Sequence, residues 1–271
     1  MIIVNADDLG FSRRQTDAAL ACYKENRITS ATAMVFMEDS ERAAELANAS
    51  GIDVGLHLNL SVEFTAPPAQ GYLKQCHRRV VRFLTFSRYS PVFYNPMLRR
   101  QFRYVYQAQL EEFKRLYGRQ PSHIDGHHHK HLCSNMLIDR IMPDREKVRR
   151  NFSFRPGDKN FLNRFYRKLV DATLARKYCV TDFFFSLEQS MQQHWLARVF
   201  ELAKKASVEL MCHPAQPMEY AYLMSDTYWS ALQQLQKGTY ASLTREPANP
   251  RLGPTRREDH RHQDSVHIDS L

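Results

Sequence analysis

Short runs of aliphatic and β-branched residues recur along the chain and alternate with stretches of helical period. The pattern predicts strands at 2–6, 31–36, 53–58, 123–126, 147–152, 180–185 and 208–212. Between them, apolar positions repeat every three or four residues, as on the buried face of a helix. Helices are expected at 14–26, 40–49, 95–117, 134–141, 161–177, 187–205 and 225–236. Ser12 and Ser40 are candidate N-caps. Gly51 and Gly118 are candidate stops, because glycine takes the left-handed conformation that closes a helix. Strands alternating with helices imply βα units and a parallel sheet. About seven units suit a closed (β/α) barrel better than a small open sheet, so the expected fold class is an α/β barrel.

Two regions break this rhythm. Residues 61–96 carry Pro67, Pro68, Pro91 and Pro96 with Tyr72, Phe83, Phe86, Tyr89, Phe93 and Tyr94, and read as a long connecting loop. Residues 244–271 are rich in Pro, Arg, Asp and His and nearly lack large apolar side chains, so a disordered tail is expected. Its histidines, His260, His262 and His267, are read as solvated. The expected organisation is one barrel domain over 1–243, interrupted by a basic aromatic insertion at about 61–120.

Composition narrows the class. The 271 residues are 43% hydrophobic and 25% charged, which excludes disorder of the whole chain. No apolar run approaches the roughly 20 residues a membrane-spanning helix needs. The opening residues lack a basic, then apolar, then small-residue pattern, so no signal peptide is read there and a cytoplasmic location is expected. Cys22, Cys76, Cys133, Cys179 and Cys212 are odd in number and widely spaced, which argues against a disulfide framework and a cysteine zinc site. The net charge is +9, and it is clustered. Residues 70–120 hold 11 basic side chains against Glu111 and Glu112, and 145–168 hold nine against Glu146 and Asp158. Clustered positive charge attracts nucleic acid, anionic lipid or anionic substrate. No nucleic-acid recognition motif accompanies it, so nucleic acid is set aside.

The chemistry lies at the C-terminal ends of predicted strands, where the βα loops of a parallel barrel build its active site. The first cluster is Asn5-Ala6-Asp7-Asp8-Leu9-Gly10. Adjacent carboxylates are costly to bury unpaired. A metal ion relieves that cost, and one carboxylate can bind it while the other takes a proton; the alternative is a turn or helix cap. The second is Gly55-Leu56-His57-Leu58-Asn59, where His57 is polar within an apolar run and is a ligand or a satisfied core histidine. The third is His123-Ile124-Asp125-Gly126-His127-His128-His129-Lys130-His131. Four histidines in five positions point to a metal, with Asp125 placed to fix a tautomer. The fourth is Glu209-Leu210-Met211-Cys212-His213-Pro214, in which His213 suits acid–base work or a turn. Together, Asp8, His57 and His127 make a two-histidine, one-carboxylate metal set that leaves positions open for water and substrate. Asp7 and His213 would supply a base and an acid.

These four motifs, in this order, resemble those of the YdjC-like carbohydrate deacetylases over roughly residues 1–243. The resemblance implies a distorted (β/α) barrel related to polysaccharide deacetylases. It also implies metal-dependent removal of acetyl groups from N-acetylated sugars such as chitooligosaccharides. On it, Asp8, His57 and His127 are the metal ligands, Asp7 the catalytic base, His213 the acid and Asp125 the brace of a histidine. It implies magnesium, whereas two imidazoles and a carboxylate suit zinc, manganese or cobalt better. The tail lies outside it.

The basic aromatic stretch departs from the family pattern and has three readings. It forms a groove for an acidic or lipid-linked sugar, it meets an anionic membrane surface, or its helix at 95–117 buries its aromatics and solvates its arginines. The last is favoured, because surface helices have that pattern. Two other functions compete with the deacetylase: a metal-dependent phosphoesterase and a non-catalytic carbohydrate-binding protein. No residue demonstrates a homodimer, which stays open.

Overall fold

The computed structural model describes residues 1–66, 71–153, 170–192 and 194–243. Six strands form one parallel sheet: β1 (Ile2–Leu9), β2 (Ser30–Ala33), β3 (Asp53–Leu58), β4 (Ile124–Gly126), β5 (Phe183–Ser186) and β6 (Val208–Cys212). Their order is β4-β3-β2-β1-β6-β5. The residues expected as a strand at 147–152 run between the two edges. On one side Ile124 N donates to Lys147 O (2.8 Å) and Arg149 N to Ile124 O (3.0 Å); on the other Ser153 N donates to Phe184 O (2.9 Å). The segment meets β4 near residue 148 and β5 only at 153, so it makes isolated bridges rather than a ladder. Six strands and one irregular closing segment therefore stand where about seven strands were expected.

Residue alternation explains what each face of the sheet does. Ile2, Val4 and Ala6 of β1, Ala31 and Ala33 of β2, Val54 and Leu56 of β3 and Val208, Leu210 and Cys212 of β6 belong to the main apolar core. Successive strand residues face opposite ways, so Asn5 and Asp7, Ser30 and Thr32, His57, Asp125 and Glu209 fall on the other face. All of these are buried. The second face is the barrel interior, and polar side chains fill it. Gly55 belongs to this layer for steric reasons: a Cβ there would lie 2.5 Å from the His123 ring.

The helices are α1 (Arg13–Lys24), α2 (Ser40–Ser50), α3 (Tyr72–Thr85), α4 (Arg99–Tyr117), α5 (Ser134–Ile138), α6 (Leu187–Gln192), α7 (Leu196–Ala203), α8 (Pro217–Leu223) and α9 (Asp226–Gln233). Residues 170–177 are also helical. Gly51 ends α2 in the left-handed region (φ 74°) with its N–H on Ala47 O, and Gly118 does the same for α4 (φ 66°). Ser12 occupies the N-cap of α1 as expected but caps no backbone N–H with its side chain, and Asp39 rather than Ser40 stands at the N-cap of α2. The Ser12 hydroxyl bonds the Gln15 side chain instead. Ser40 sits one position inside α2, where its hydroxyl accepts from Met37 N (2.8 Å) and donates to Met34 O (2.9 Å).

Residues 61–96 are not one long loop, because they contain α3. Cys76, His77, Val80, Val81 and Leu84 form its buried stripe. The prolines all fall outside it, so their number concealed a helix of regular period. In α4, Phe102, Tyr106, Phe113 and Tyr117 are buried while Arg99, Arg100 and Arg103 are exposed, as an amphipathic helix requires. Buried residues of α3 and α4 share a second apolar cluster with Leu58, Leu60, Ile124 and Met136. The helix expected at 187–205 is two. The chain turns at His194 (φ 53°), and Trp195 then packs edge-on against Phe185 with ring centroids 5.5 Å apart.

Among the described residues, which include all five cysteines, no disulfide forms and every thiol is buried. No described helix is long and apolar enough to cross a membrane. The tail at 244–271, with its three histidines, and much of the helix expected at 161–177 lie outside the described residues.

Candidate active site and metal centre

The site begins with a bulge. In β1, Ala6 lies opposite Ala31 and Leu9 opposite Ala33, so one extra residue is accommodated between them. Asp8 takes a positive φ of 69° within that bulge. Bulges re-aim side chains, and a non-glycine residue in this conformation is strained. The bulge lets two adjacent carboxylates, which a regular strand would send to opposite faces, address neighbouring parts of one site.

Asp8 Oδ1 lies 3.1 Å from His57 Nε2 and 2.9 Å from His127 Nδ1. One carboxylate oxygen thus meets two imidazole nitrogens. Adjacent ligands about 2.1 Å from an ion in near-octahedral geometry are about 3.0 Å apart, so these three residues fit a divalent cation. On its other side, His57 donates from Nδ1 to Asp125 Oδ1 (2.7 Å). That bond points Nε2 at the ion position, the arrangement by which a carboxylate fixes a metal-binding histidine. Burial opposes the ionised form of Asp8, but hydrogen bonds from His127 and His57 outweigh it and hold its pKa well below the ordinary value. Burial likewise opposes charge on His57, yet Asp125 and Asp7 raise its pKa well above that of free imidazole.

His128, His129 and His131 join none of the ligand clusters among the described residues. His131 donates from Nε2 to the Arg149 carbonyl (3.1 Å). His128 Nδ1 meets Ser61 Oγ (3.2 Å), and His129 packs edge-on against Phe152 and Phe184. His128 and His129 both have positive φ, so the chain turns sharply just after His127 and sends their side chains elsewhere.

Arg149 is the residue that sequence reasoning missed. It was counted as surface charge in the basic run 145–168, but its side chain is fully buried inside the barrel. It contacts Asp7 through Nη1–Oδ2 (2.6 Å) and Nη2–Oδ1 (2.7 Å), Asp125 Oδ2 (2.7 Å) and Glu209 Oε1 (2.8 Å). Its guanidinium also lies over the Phe184 ring at 4.9 Å. Asn5 donates to Asp7 Oδ1 (2.9 Å), Thr32 donates to Asp125 Oδ2 (3.1 Å), and the Tyr240 hydroxyl donates to Glu209. Burial pushes the Glu209 pKa up to about 7, against the pull of Arg149 and Tyr240. The signal that could have found this network was the period-2 run of polar residues Asn5/Asp7, Ser30/Thr32, His123/Asp125 and Glu209. That many buried carboxylates require a buried cation.

Two further triples, Asp7–His57–Asp125 and His123–Asp125–Glu209, also bring ligand atoms together. Arg149 already lies among their carboxylates and pairs with Asp7, Asp125 and Glu209. Among the described residues, the group free of that guanidinium is Asp8, His57 and His127.

His213 follows β6 and is one-third exposed. Its backbone N–H donates to Glu219 Oε2 (2.8 Å), and its Nδ1 lies 3.5 Å from Glu219 Oε1. Glu219 is buried in the first turn of α8, and the sequence reading did not single it out. Burial alone would lower the His213 pKa. The Glu219 carboxylate and the charges of Asp7 and Asp8 outweigh it and raise the value to about 9. With Nδ1 turned to Glu219, Nε2–H is left to donate.

Every site residue expected from the sequence is thus placed in one region, with Asp125 braced between His57 and Arg149. The sequence profile of a family described as YdjC-like protein matches residues 1–244. The chitooligosaccharide deacetylase of Enterobacter sp. (strain 638) is 27% identical over 251 residues, which cover 90% of this chain and 92% of that protein. The carbohydrate deacetylase of Mus musculus is 32% identical over 132 residues, 48% of this chain and 43% of that protein, so this match spans under half of either. In fold, the chain is similar to a crystal structure from Enterococcus faecalis V583 described as a candidate cellobiose-phosphate cleavage protein. The TM-score is 0.61 at 18% identity, covering 89% of this chain and 97% of that one. On the profile match over residues 1–244, with the four strand-end motifs gathered at one end of the barrel, the chain belongs to the YdjC-like protein family.

Proposed function

We propose that the protein is a metal-dependent hydrolase that removes acetyl groups from N-acetylated sugars. The observation that carries this reading is the convergence of Asp8, His57 and His127 beside a buried carboxylate, Asp7, and a cationic imidazole, His213. Relatives named chitooligosaccharide deacetylase and carbohydrate deacetylase support it. The ligand set favours zinc, manganese or cobalt over magnesium, because imidazole suits the later metals. When bound, such an ion lowers the pKa of water and polarises the acetyl carbonyl.

The protein groups do the proton work. Asp7 accepts the proton of the attacking water. Its Oδ2 takes one hydrogen bond, from Arg149, and keeps a lone pair for that purpose. Arg149 and Asn5 hold the carboxylate in place. His213, kept protonated by Glu219, gives its proton to the departing amine, which is otherwise a poor leaving group.

Acetate release from a panel of neutral and acidic N-acetylated oligosaccharides tests the reading, run metal-free and with zinc, manganese, cobalt or magnesium. Metal-dependent release supports it. No release anywhere, with metal bound, would sink it. Replacing Asp8 with Asn is expected to weaken metal retention by more than about 100-fold, since even supporting residues around metal ligands contribute 10–100-fold. Metal content after dialysis checks this, and an unchanged content would remove Asp8 from the ligand set.

The acid assignment predicts a pH profile. A general acid must be protonated, and the His213 pKa is raised to about 9. Turnover should therefore hold through neutral pH and fall as pH rises through about 9. Glu219→Gln removes the main raising influence, so the alkaline limb should move down toward ordinary imidazole. A pH–rate profile with that limb unmoved would refute the role given to Glu219.

A further inference from the structure

We propose that the loop joining α3 to α4, with the basic side chains around it, docks on an anionic lipid surface. Residues 86–97 leave large apolar side chains in water: Phe86 is 89% exposed, Met97 83%, Phe93 65%, Tyr89 55% and Val92 49%. Contiguous exposure of this kind marks an interaction site rather than ordinary surface.

The loop is braced from beneath. Ser134 donates to Val92 O (2.6 Å), Asn95 N to Asn135 Oδ1 (3.0 Å), Asn135 Nδ2 to Asn95 O (2.9 Å) and the Tyr94 hydroxyl to Asp139 (3.0 Å). Lys130 reaches Leu84 O at the end of α3 (3.3 Å). These partners lie in and just after the turn that carries His127, so the apolar side chains stand on the same framework as the candidate metal centre.

The surrounding charge is predominantly positive, although Arg78 pairs with Glu63 (3.2 Å) and Arg99 with Asp139 (2.9 Å). No Asp or Glu occurs between Glu63 and Glu111, and every Lys and Arg in that stretch is exposed. Arg82 and Arg100 flank the loop in sequence, and Arg88 lies within it. On α3, Lys74, Arg78, Arg79 and Arg82 line an open groove of about 450 Å³ that headgroup phosphates can enter. Exposed aromatic and aliphatic side chains within a basic rim match an anionic bilayer, whose acyl boundary takes the apolar groups and whose headgroups meet the arginines. A second copy of the chain fits poorly, because a two-fold contact would set the same arginines against each other, and the nearby carboxylates of Glu63 and Asp139 are already paired with Arg78 and Arg99. Single-stranded nucleic acid fits poorly too, since Val92 and Met97 offer it neither stacking nor charge. The inference does not depend on the deacetylase reading.

Co-sedimentation of the full chain with phosphatidylglycerol–phosphatidylcholine vesicles and with pure phosphatidylcholine vesicles tests it. The wild type is expected to bind the anionic vesicles at least about tenfold more tightly than the neutral ones, and less tightly as salt rises. The triple variant Phe86→Ser, Phe93→Ser, Met97→Ser should lose about tenfold or more of that binding. All three positions are exposed, so its thermal unfolding should match the wild type. Phe93→Trp should show a blue-shifted emission on anionic vesicles beyond any shift of the wild type. No sedimentation with anionic vesicles at low salt, or undiminished binding by the triple variant, would overturn the proposal. So would a dimer that the triple variant abolishes, or capture by single-stranded RNA without capture by vesicles.

Discussion

Asp7→Asn is expected to lower turnover by about 10²–10⁴-fold, the usual share of a general base, while leaving metal content unchanged. Asn has the size of Asp but cannot accept the proton. The three ligand residues, Asp8, His57 and His127, are untouched, so the ion should stay. The change also removes one of the three carboxylates on Arg149, which retains Asp125 and Glu209. Losing those charge-assisted bonds costs about 1–3 kcal/mol, too little to unfold a typical domain. Single-turnover acetate release on a variant with measured metal content separates the two effects. Wild-type turnover would remove Asp7 from the base role. Lost turnover together with lost metal would mean that it supports the ion instead.

Arg149→Met is expected to destabilise the fold by about 3–5 kcal/mol, the usual cost of removing one partner from a buried charge pair. Methionine fills much of the volume but leaves Asp7, Asp125 and Glu209 buried with their cation gone. Asp7 and Glu209 sit on the adjacent strands β1 and β6, whereas Asp125 sits on β4, with β3 and β2 between it and β1, so the guanidinium holds distant parts of the barrel together. Arg149→Lys should recover only part of the loss. A single ammonium restores the charge, whereas the planar fork meets Asp7 with two parallel bonds and still reaches the other carboxylates. The urea unfolding midpoint at neutral pH checks both variants. An unchanged midpoint for Arg149→Met would mean that other groups already relieve the carboxylates.

Much of this protein could be read from its sequence, for identifiable reasons. Strand β3 at 53–58 and β6 at 208–212 were located to the residue, because Val54, Leu56 and Leu58, and Val208, Leu210 and Cys212, set apolar residues at alternate positions. Asp8, His57 and His127 could be grouped before any contact was known, since each ends a strand of a parallel sheet and such ends converge. Gly51 and Gly118 ended their helices because glycine tolerates a positive φ there. Helix α3 was missed because the prolines and aromatics around it masked its period. The 147–152 segment was expected as a strand because its composition does not reveal that it would change neighbours.

What the sequence determined by itself was a local quantity at each step: the strand and helix periods, the βα alternation, and the residue types able to hold a metal and move protons. What only the tertiary structure decided depended on partners far apart in the chain. Arg149 has the same composition signal as any arginine in a basic run, and only burial beside Asp7, 142 residues away, separates it from its neighbours. The raised pKa of His213 likewise arises from Glu219 on the next helix and from carboxylates at the other end of the chain. Charge and burial are properties of surroundings, and the barrel supplies surroundings that no short stretch of sequence contains.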